Sequence, residues 1–345
     1  MLFRSLQINN GANSYTGGTI VNTPNGSQSN GILDLNVTGA NGSAGSSAIP
    51  LAANVADSLV INGGTVRLLQ ANQINFGIKP VVRGQFALLQ LNNFNQTLAG
   101  LAFDNDGGST APSVTTGTGV LTLTAGITAI SSNPGTIAAL SGTGSNVTAA
   151  GGTIAVDLAG SNLTVDVAPV TVNGNAALAN ATPSMNISAP IGSSVNPTTT
   201  GLTKTGTGLL QLSGASLFGG GVAVSSGGLA VGASTNVATR NATTGLADAF
   251  ANGPVGTGTL AMASGTFLTS TAANTINNAL TIGGTLTMRG MNSLTINGAT
   301  TLLANATINV EAPLTTLTLN GVIDDAGNAY SITKSGLGDR KSTRL

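Results

Sequence analysis

Leu202-Thr-Lys-Thr-Gly-Thr-Gly-Leu-Leu-Gln-Leu-Ser-Gly-Ala215 decides how this chain is read, because pieces of it return twice. Its second half returns near the start as Leu6-Gln-Ile-Asn-Asn-Gly-Ala-Asn-Ser-Tyr-Thr-Gly-Gly-Thr-Ile-Val21, which aligns with Leu210 to Val224 with one extra residue at Asn9 or Asn10. Its first half returns near the end as Ile332-Thr-Lys-Ser-Gly-Leu-Gly338. Such recurrence marks a repeat array, in which each unit buries its apolar face only against its neighbours. The chain is therefore read as a scaffold before it is searched for a catalyst.

Outward from the motif, apolar residues alternate with Thr. Val120-Leu-Thr-Leu-Thr124, Ile154-Ala-Val156, Leu163-Thr-Val-Asp-Val167, Leu280-Thr-Ile282, Leu286-Thr-Met288, Leu294-Thr-Ile296 and Leu317-Thr-Leu319 each read as a short strand with one face buried. Asn62-Gly63-Gly64, Ala150-Gly151-Gly152, Gly227-Gly228 and Gly283-Gly284 punctuate them as turns. Helical spacing is missing, and Glu, Lys and Arg, which cover a helix's wet face, are scarce. The best helical candidate, Leu246-Ala-Asp-Ala-Phe-Ala251, would give a turn or two.

Many short strands with Gly turns suit an antiparallel sandwich or barrel set, or a parallel solenoid whose coils stack on one another. The repeat favours the solenoid. Leu294-Thr-Ile-Asn-Gly298 and Leu317-Thr-Leu-Asn-Gly321 are similar phrases one coil apart, as expected of equivalent strands about 4.8 Å apart. Coils of ~20 to 25 residues would number about 15 and build a rod of about 70 Å. Inward Leu, Ile and Val would form columns, each side chain gaining ~1.5 to 3 kcal/mol from burial. Outward Thr suits the extended backbone, and Asn at the turns would stack into hydrogen-bonded ladders. Residues 109–200 carry general Gly/Thr/Ala character and join the solenoid by extension.

Composition agrees. The 345 residues would hold two globular domains, yet 6% are charged, 3% are aromatic, and Trp, Cys and His are absent, unlike ordinary enzyme domains. The 49 Gly would argue for disorder if apolar residues were scarce, but 41% are hydrophobic and they alternate. Net charge is zero and Lys and Arg do not cluster before the last few residues, so no electrostatic footprint exists for nucleic acid or an anionic membrane. Met1-Leu-Phe-Arg-Ser-Leu-Gln-Ile8 lacks the apolar stretch of an export signal, and no segment approaches ~20 uninterrupted apolar residues.

Leu202 to Ser216, followed by Phe218-Gly-Gly-Gly-Val-Ala-Val224 and Ser226-Gly-Gly-Leu-Ala-Val231, resembles the autotransporter-associated β-strand repeat, also called the passenger-associated transport repeat. Asn10-Gly-Ala-Asn-Ser-Tyr-Thr-Gly-Gly-Thr19 is similar to that repeat's central Gly-Ala-Asn-x-Tyr-x-Gly-x-Thr element. Leu91 to Leu101, Gly253 to Leu260 and Asn274 to Leu286 resemble the spacer coils of the same proteins. The motifs then occupy 6–22, 202–231 and 332–338 within a passenger fragment covering 1–338. The resemblance implies an all-β, right-handed parallel β-helix displayed at the bacterial cell surface or secreted. It also implies an outer-membrane barrel translocator and an export signal elsewhere in the full protein. Host or neighbouring-cell surfaces or matrix are the implied adhesion partners, and the repeats are expected to aid translocation and folding.

Residues 339–345, Asp-Arg-Lys-Ser-Thr-Arg-Leu, hold 4 of the 22 charged residues and follow a motif that stops at Gly338. They are read as a non-native tail.

Without His or Cys, the Ser-His-Asp and Cys-His nucleophile systems and the common zinc sites cannot be assembled. Asp104/Asp106 and Asp324/Asp325 are close acid pairs, the minimum for a β-helical carbohydrate hydrolase or lyase, which stays the alternative reading. Both sit beside Gly or Asn, so turns explain them better. Asp104-Asn-Asp-Gly107 lacks the further ligands of a calcium loop, since the only Glu is Glu311. Lys204 and Lys334 share a motif position and are expected to be solvated at coil edges. Tyr15 and Phe218 also correspond, and are expected to pack over a Gly-rich corner. Phe218-Gly-Gly-Gly-Val222 lacks the Gly-Lys-Ser/Thr of a phosphate loop. No catalytic, cofactor-binding or metal-ligating residue is assigned and no cofactor is expected; a stalk or adhesin scaffold is, with self-association through uncharged flanks as a further possibility.

Overall fold

In a solenoid with period-two alternation and Gly at the corners, a strand satisfies its backbone by pairing with the equivalent strands of the coils before and after it. The computed structural model describes residues 5–22, 31–53, 58–176, 182–240 and 247–342, and it is built this way. A first sheet of 13 parallel strands runs from Ser5–Ile8 to Ile332–Ser335, and a second of 12 runs from Thr19–Asn22 to Ile323–Asp324. A third side carries two parallel four-stranded sheets, from Gln96–Leu98 to Ile191–Gly192 and from Asn274–Ile276 to Asp339–Ser342. One circuit passes through Thr285–Met288 in the first sheet, Leu294–Ile296 in the third and Thr300–Leu302 in the second, then re-enters the first at Ala306–Val310. The molecule is an all-β parallel β-helix.

The expected register is present. Leu294, Thr295 and Ile296 lie opposite Leu317, Thr318 and Leu319. Next to them Asn320 Nδ2 donates to Asn297 Oδ1 at 2.8 Å, and Asn297 Nδ2 to Asn277 Oδ1 at 2.6 Å, a three-rung amide ladder. Inside, Ala138, Met185, Leu210, Leu229, Leu268, Met288 and Val310 form one column of register partners, all fully buried. The turn pairs adopt the backbone that only Gly takes easily, with φ of 72° at Gly63, 81° at Gly151, 69° at Gly227 and 148° at Gly284.

Three expectations need correction. The first sheet has 13 strands rather than the 15 or so that an even period gives, about 58 Å of stacking at 4.8 Å per step. The period is uneven: register partners lie 19 residues apart from Leu210 to Leu229, but 47 apart from Leu140 to Ile187 and 39 apart from Leu229 to Leu268. The long coils contain antiparallel hairpins, Ser145–Val147 with Gly152–Ile154 and Asn236–Arg240 with Ala247–Asn252. The second hairpin overturns the helical candidate, because Ala247–Asn252 is a strand; Leu246 lies outside the described residues. The first divides Ile154-Ala-Val156, with Ile154 ending a hairpin strand and Val156 opening a strand of the third side.

The described residues within 109–200 are regular coil apart from their excursions, with Ser113–Thr115, Leu121–Leu123 and Ile127–Ser131 in successive sheets. At the far end Asp339–Ser342 pairs with Thr316–Leu319, which sets Arg340 in line with buried Leu317 and Leu294. Arg340 Nε and Nη1 are buried there without a hydrogen-bond partner, so the column's chemistry breaks where the repeat does. The remaining tail residues, 343–345, lie outside the described residues.

Candidate functional site

Alternation within Leu202–Thr205 turns Leu202 and Lys204 inward and Thr203 and Thr205 outward. Lys204 stands in a column of register partners made otherwise of Leu101, Ile127, Val165, Val224, Met262, Ile282 and Leu302. It is fully buried, at 0% exposure, which overturns the expectation of a solvated coil-edge lysine. The reason lies in the corner that follows. Gly206 has φ of 72°, and a Cβ there would stand 2.4 Å from the Val167 carbonyl oxygen of the preceding coil. The tight turn points carbonyls inward, and Lys204 Nζ donates to the oxygens of Thr205 and Gly206 at 2.7 Å each and to that of Ser226, in the next coil, at 3.1 Å. Its methylenes fill the column while the ammonium satisfies the corner. Desolvation pushes the Lys204 ammonium down to about 8, opposed by the Asp166 carboxylate of the preceding coil. Thr205 Oγ1 donates to that same carboxylate at 3.1 Å.

Lys334 repeats the local geometry on another face. Ile332–Ser335 belongs to the first sheet, where Leu202–Thr205 belongs to the second, so the motif encodes a corner rather than a side. Gly336 has φ of 78°, its Cβ would stand 2.2 Å from the Val310 oxygen, and Lys334 Nζ donates to Gly336 O at 2.7 Å. Lys334 is exposed, and its strand is the last of the first sheet among the described residues.

Several other charged residues bind neighbouring rungs or their own turns. Arg67 pairs with Asp34 through two bonds of 2.8 and 3.0 Å, Arg83 with Asp104 at 2.8 Å and Arg289 with Glu311 at 3.3 Å, each pair joining adjacent coils. Asp104 and Asp106 are therefore not a matched acid pair, since Asp104 is held by Arg83. Asp324 and Asp325 accept from the backbone N–H groups of Ala326, Gly327 and Tyr330, which makes them turn caps. Buried Asp157 accepts from the N–H groups of Ala159 and Ser194 and from the Ser194 hydroxyl. Among the described residues, no three of His, Cys, Asp and Glu gather as metal ligands would. Phe218 is fully buried with Gly256 against its ring, as its motif position suggested, whereas Tyr15 is half-exposed and shares a 2.7 Å hydrogen bond with Thr19.

Sequence reasoning missed two glutamines. Gln73 and Gln96 are buried, and each primary amide engages both backbone groups of a residue one coil back. Gln73 Oε1 accepts from Val37 N at 2.6 Å while its Nε2 donates to Val37 O at 3.0 Å. Gln96 does the same to Ile74, at 3.0 and 2.8 Å. The signal was the Asn-Gln dipeptide at 72–73 and again at 95–96, a coil length apart.

The hairpins frame a groove of about 460 Å³ over the loops between the third and second sheets. Thr148, Gly151, Pro197, Thr198, Leu217, Ala251 and Thr257 are among its lining. None of the lining residues is charged, so the groove offers hydroxyls and apolar shape but no group to transfer a proton. Compared with models of protein families, with curated proteins and with solved structures, the chain matches none.

Proposed function

We propose that this chain is a structural β-helical segment of a bacterial surface-displayed or secreted protein of the autotransporter type. It serves as a stalk or adhesin scaffold and assists its own translocation and folding. The observation that carries this reading is the stack itself, where equivalent strands lie in register along 13 rungs and the recurring motif turns a corner at Gly206 and again at Gly336. The described ion pairs and acid caps support it further, because they are spent joining rungs and turns rather than gathered on one flank. In such an array each new coil pairs on the coil already folded, so folding outside the membrane favours outward movement of a threaded chain. In this role the chain works with an outer-membrane barrel translocator and presents the protein to host or neighbouring-cell surfaces or matrix.

The test is deletion of residues 202–231 from the full-length gene product, with surface exposure read by protease accessibility on whole cells. Exposure should fall while synthesis is unchanged. Undiminished exposure would remove the translocation role.

A further inference from the structure

We propose that the motif lysine is a latch between coils, built to serve both when its coil is the end of the stack and when another coil covers it. The two copies on this molecule differ in what covers them. Lys334 lies in the last strand of the first sheet, on the column of buried Ile308, with its ammonium exposed and one carbonyl, that of Gly336, at 2.7 Å. Lys204 has the same corner beneath it and a further coil above it, and that coil supplies the third acceptor, Ser226 O.

The geometry explains why neither an aliphatic residue nor an exposed polar one would do. The corner at Gly206 turns the Thr205 and Gly206 carbonyls inward, where Lys204 supplies a donor to each, and burying such groups unpaired is costly. An aliphatic side chain would fill the column but strip the Thr205 oxygen of this donor and leave the Gly206 oxygen only the Ser226 hydroxyl at 3.0 Å, and it would expose apolar surface whenever the coil stood last. A lysine at the end of the stack keeps its head in water. When the next coil closes, the Ser226 carbonyl replaces water, and the stem packs between Val165 and Val224. The third bond reaches only forward, so the coil at 222–231 is held by a group the coil at 202–212 presents in advance. Gly227 brings the coils to this distance, because any Cβ there would meet the Gly206 and Gly208 oxygens at 2.6 and 2.4 Å. The inference stands on coil geometry and does not depend on the export reading.

Lys204→Met in the full chain keeps the stem and removes the donors. Hydrogen exchange over 222–231 should accelerate by about tenfold or more, while exchange over 294–319 stays as it was. Lys334→Met should leave protection of its coil unchanged. Unaltered or increased protection over 222–231 in Lys204→Met would overturn the latch, because the lysine would then be mere filler. The unsubstituted chain gives a second measurement that does not rely on a variant folding. At pH 6, Lys204 should show a slowly exchanging ammonium resonance close in space to Ser226, and Lys334 a fast one. A Lys204 ammonium that exchanges as fast as that of Lys334 would equally overturn the proposal.

Discussion

Gln73 and Gln96 do with a side chain what the rest of the molecule does with a strand. Each presents a carbonyl and an N–H₂ at the spacing of a peptide group, and so offers the coil behind it a complete rung. Gln96→Met should conserve volume but orphan the N–H and C=O of Ile74, at a cost of about 3 kcal/mol. Chemical denaturation followed with hydrogen exchange at residues 74–98 measures it, and a neutral substitution would show that the rung is ornamental. At this scale the sequence was least legible. Lysine is almost never fully buried without partners, so Lys204 was placed in water. Its inward phase was visible in the alternation of Leu202-Thr-Lys-Thr205. The direction of the corner carbonyls that receive it was not, because that depends on the backbone of two coils at once.

Strands of three and four residues such as Leu294–Ile296 and Thr316–Leu319 are too short to stand alone, and they persist because each is paired on both sides and capped by its Asn ladder. Leu317→Ala should therefore destabilise by about 2 to 5 kcal/mol. The loss should be confined to the neighbouring rungs at 294–296 and 339–342, since repeat stability is a sum of nearest-neighbour terms. Residue-resolved hydrogen exchange distinguishes this from the molecule-wide loss a single cooperative core would show. Strands that lie in the coils were read correctly from Leu-Thr-Ile alternation, because one face of each is buried and the other wet. Ala247–Asn252 was misread because Ala-Asp-Ala-Phe-Ala has helical propensity, which pairing with Asn236–Arg240 overrides. Nothing in the local pattern announces a partner on the same hairpin rather than on the next coil.

For the whole molecule, the repeat settled the parallel β-helix and missed its length. A period counted on motif coils overlooks the residues spent on hairpins, whose strands leave the stack at 145–154 and at 236–240 with 247–252 and frame the groove between them. The central claim is that equivalent strands lie directly above one another. Because the chain has no cysteine, the pair Thr295→Cys and Thr318→Cys tests that claim without background. These positions are outward register partners on adjacent rungs, and strands about 4.8 Å apart fall within the Cα span a disulfide bridges. Mild oxidation should close an intramolecular bond in nearly every molecule, while Thr295→Cys with Thr301→Cys, on different sheets of the coil, should stay reduced. Failure of the first pair to close, or equal closure of the second, would contradict the stacked-coil account.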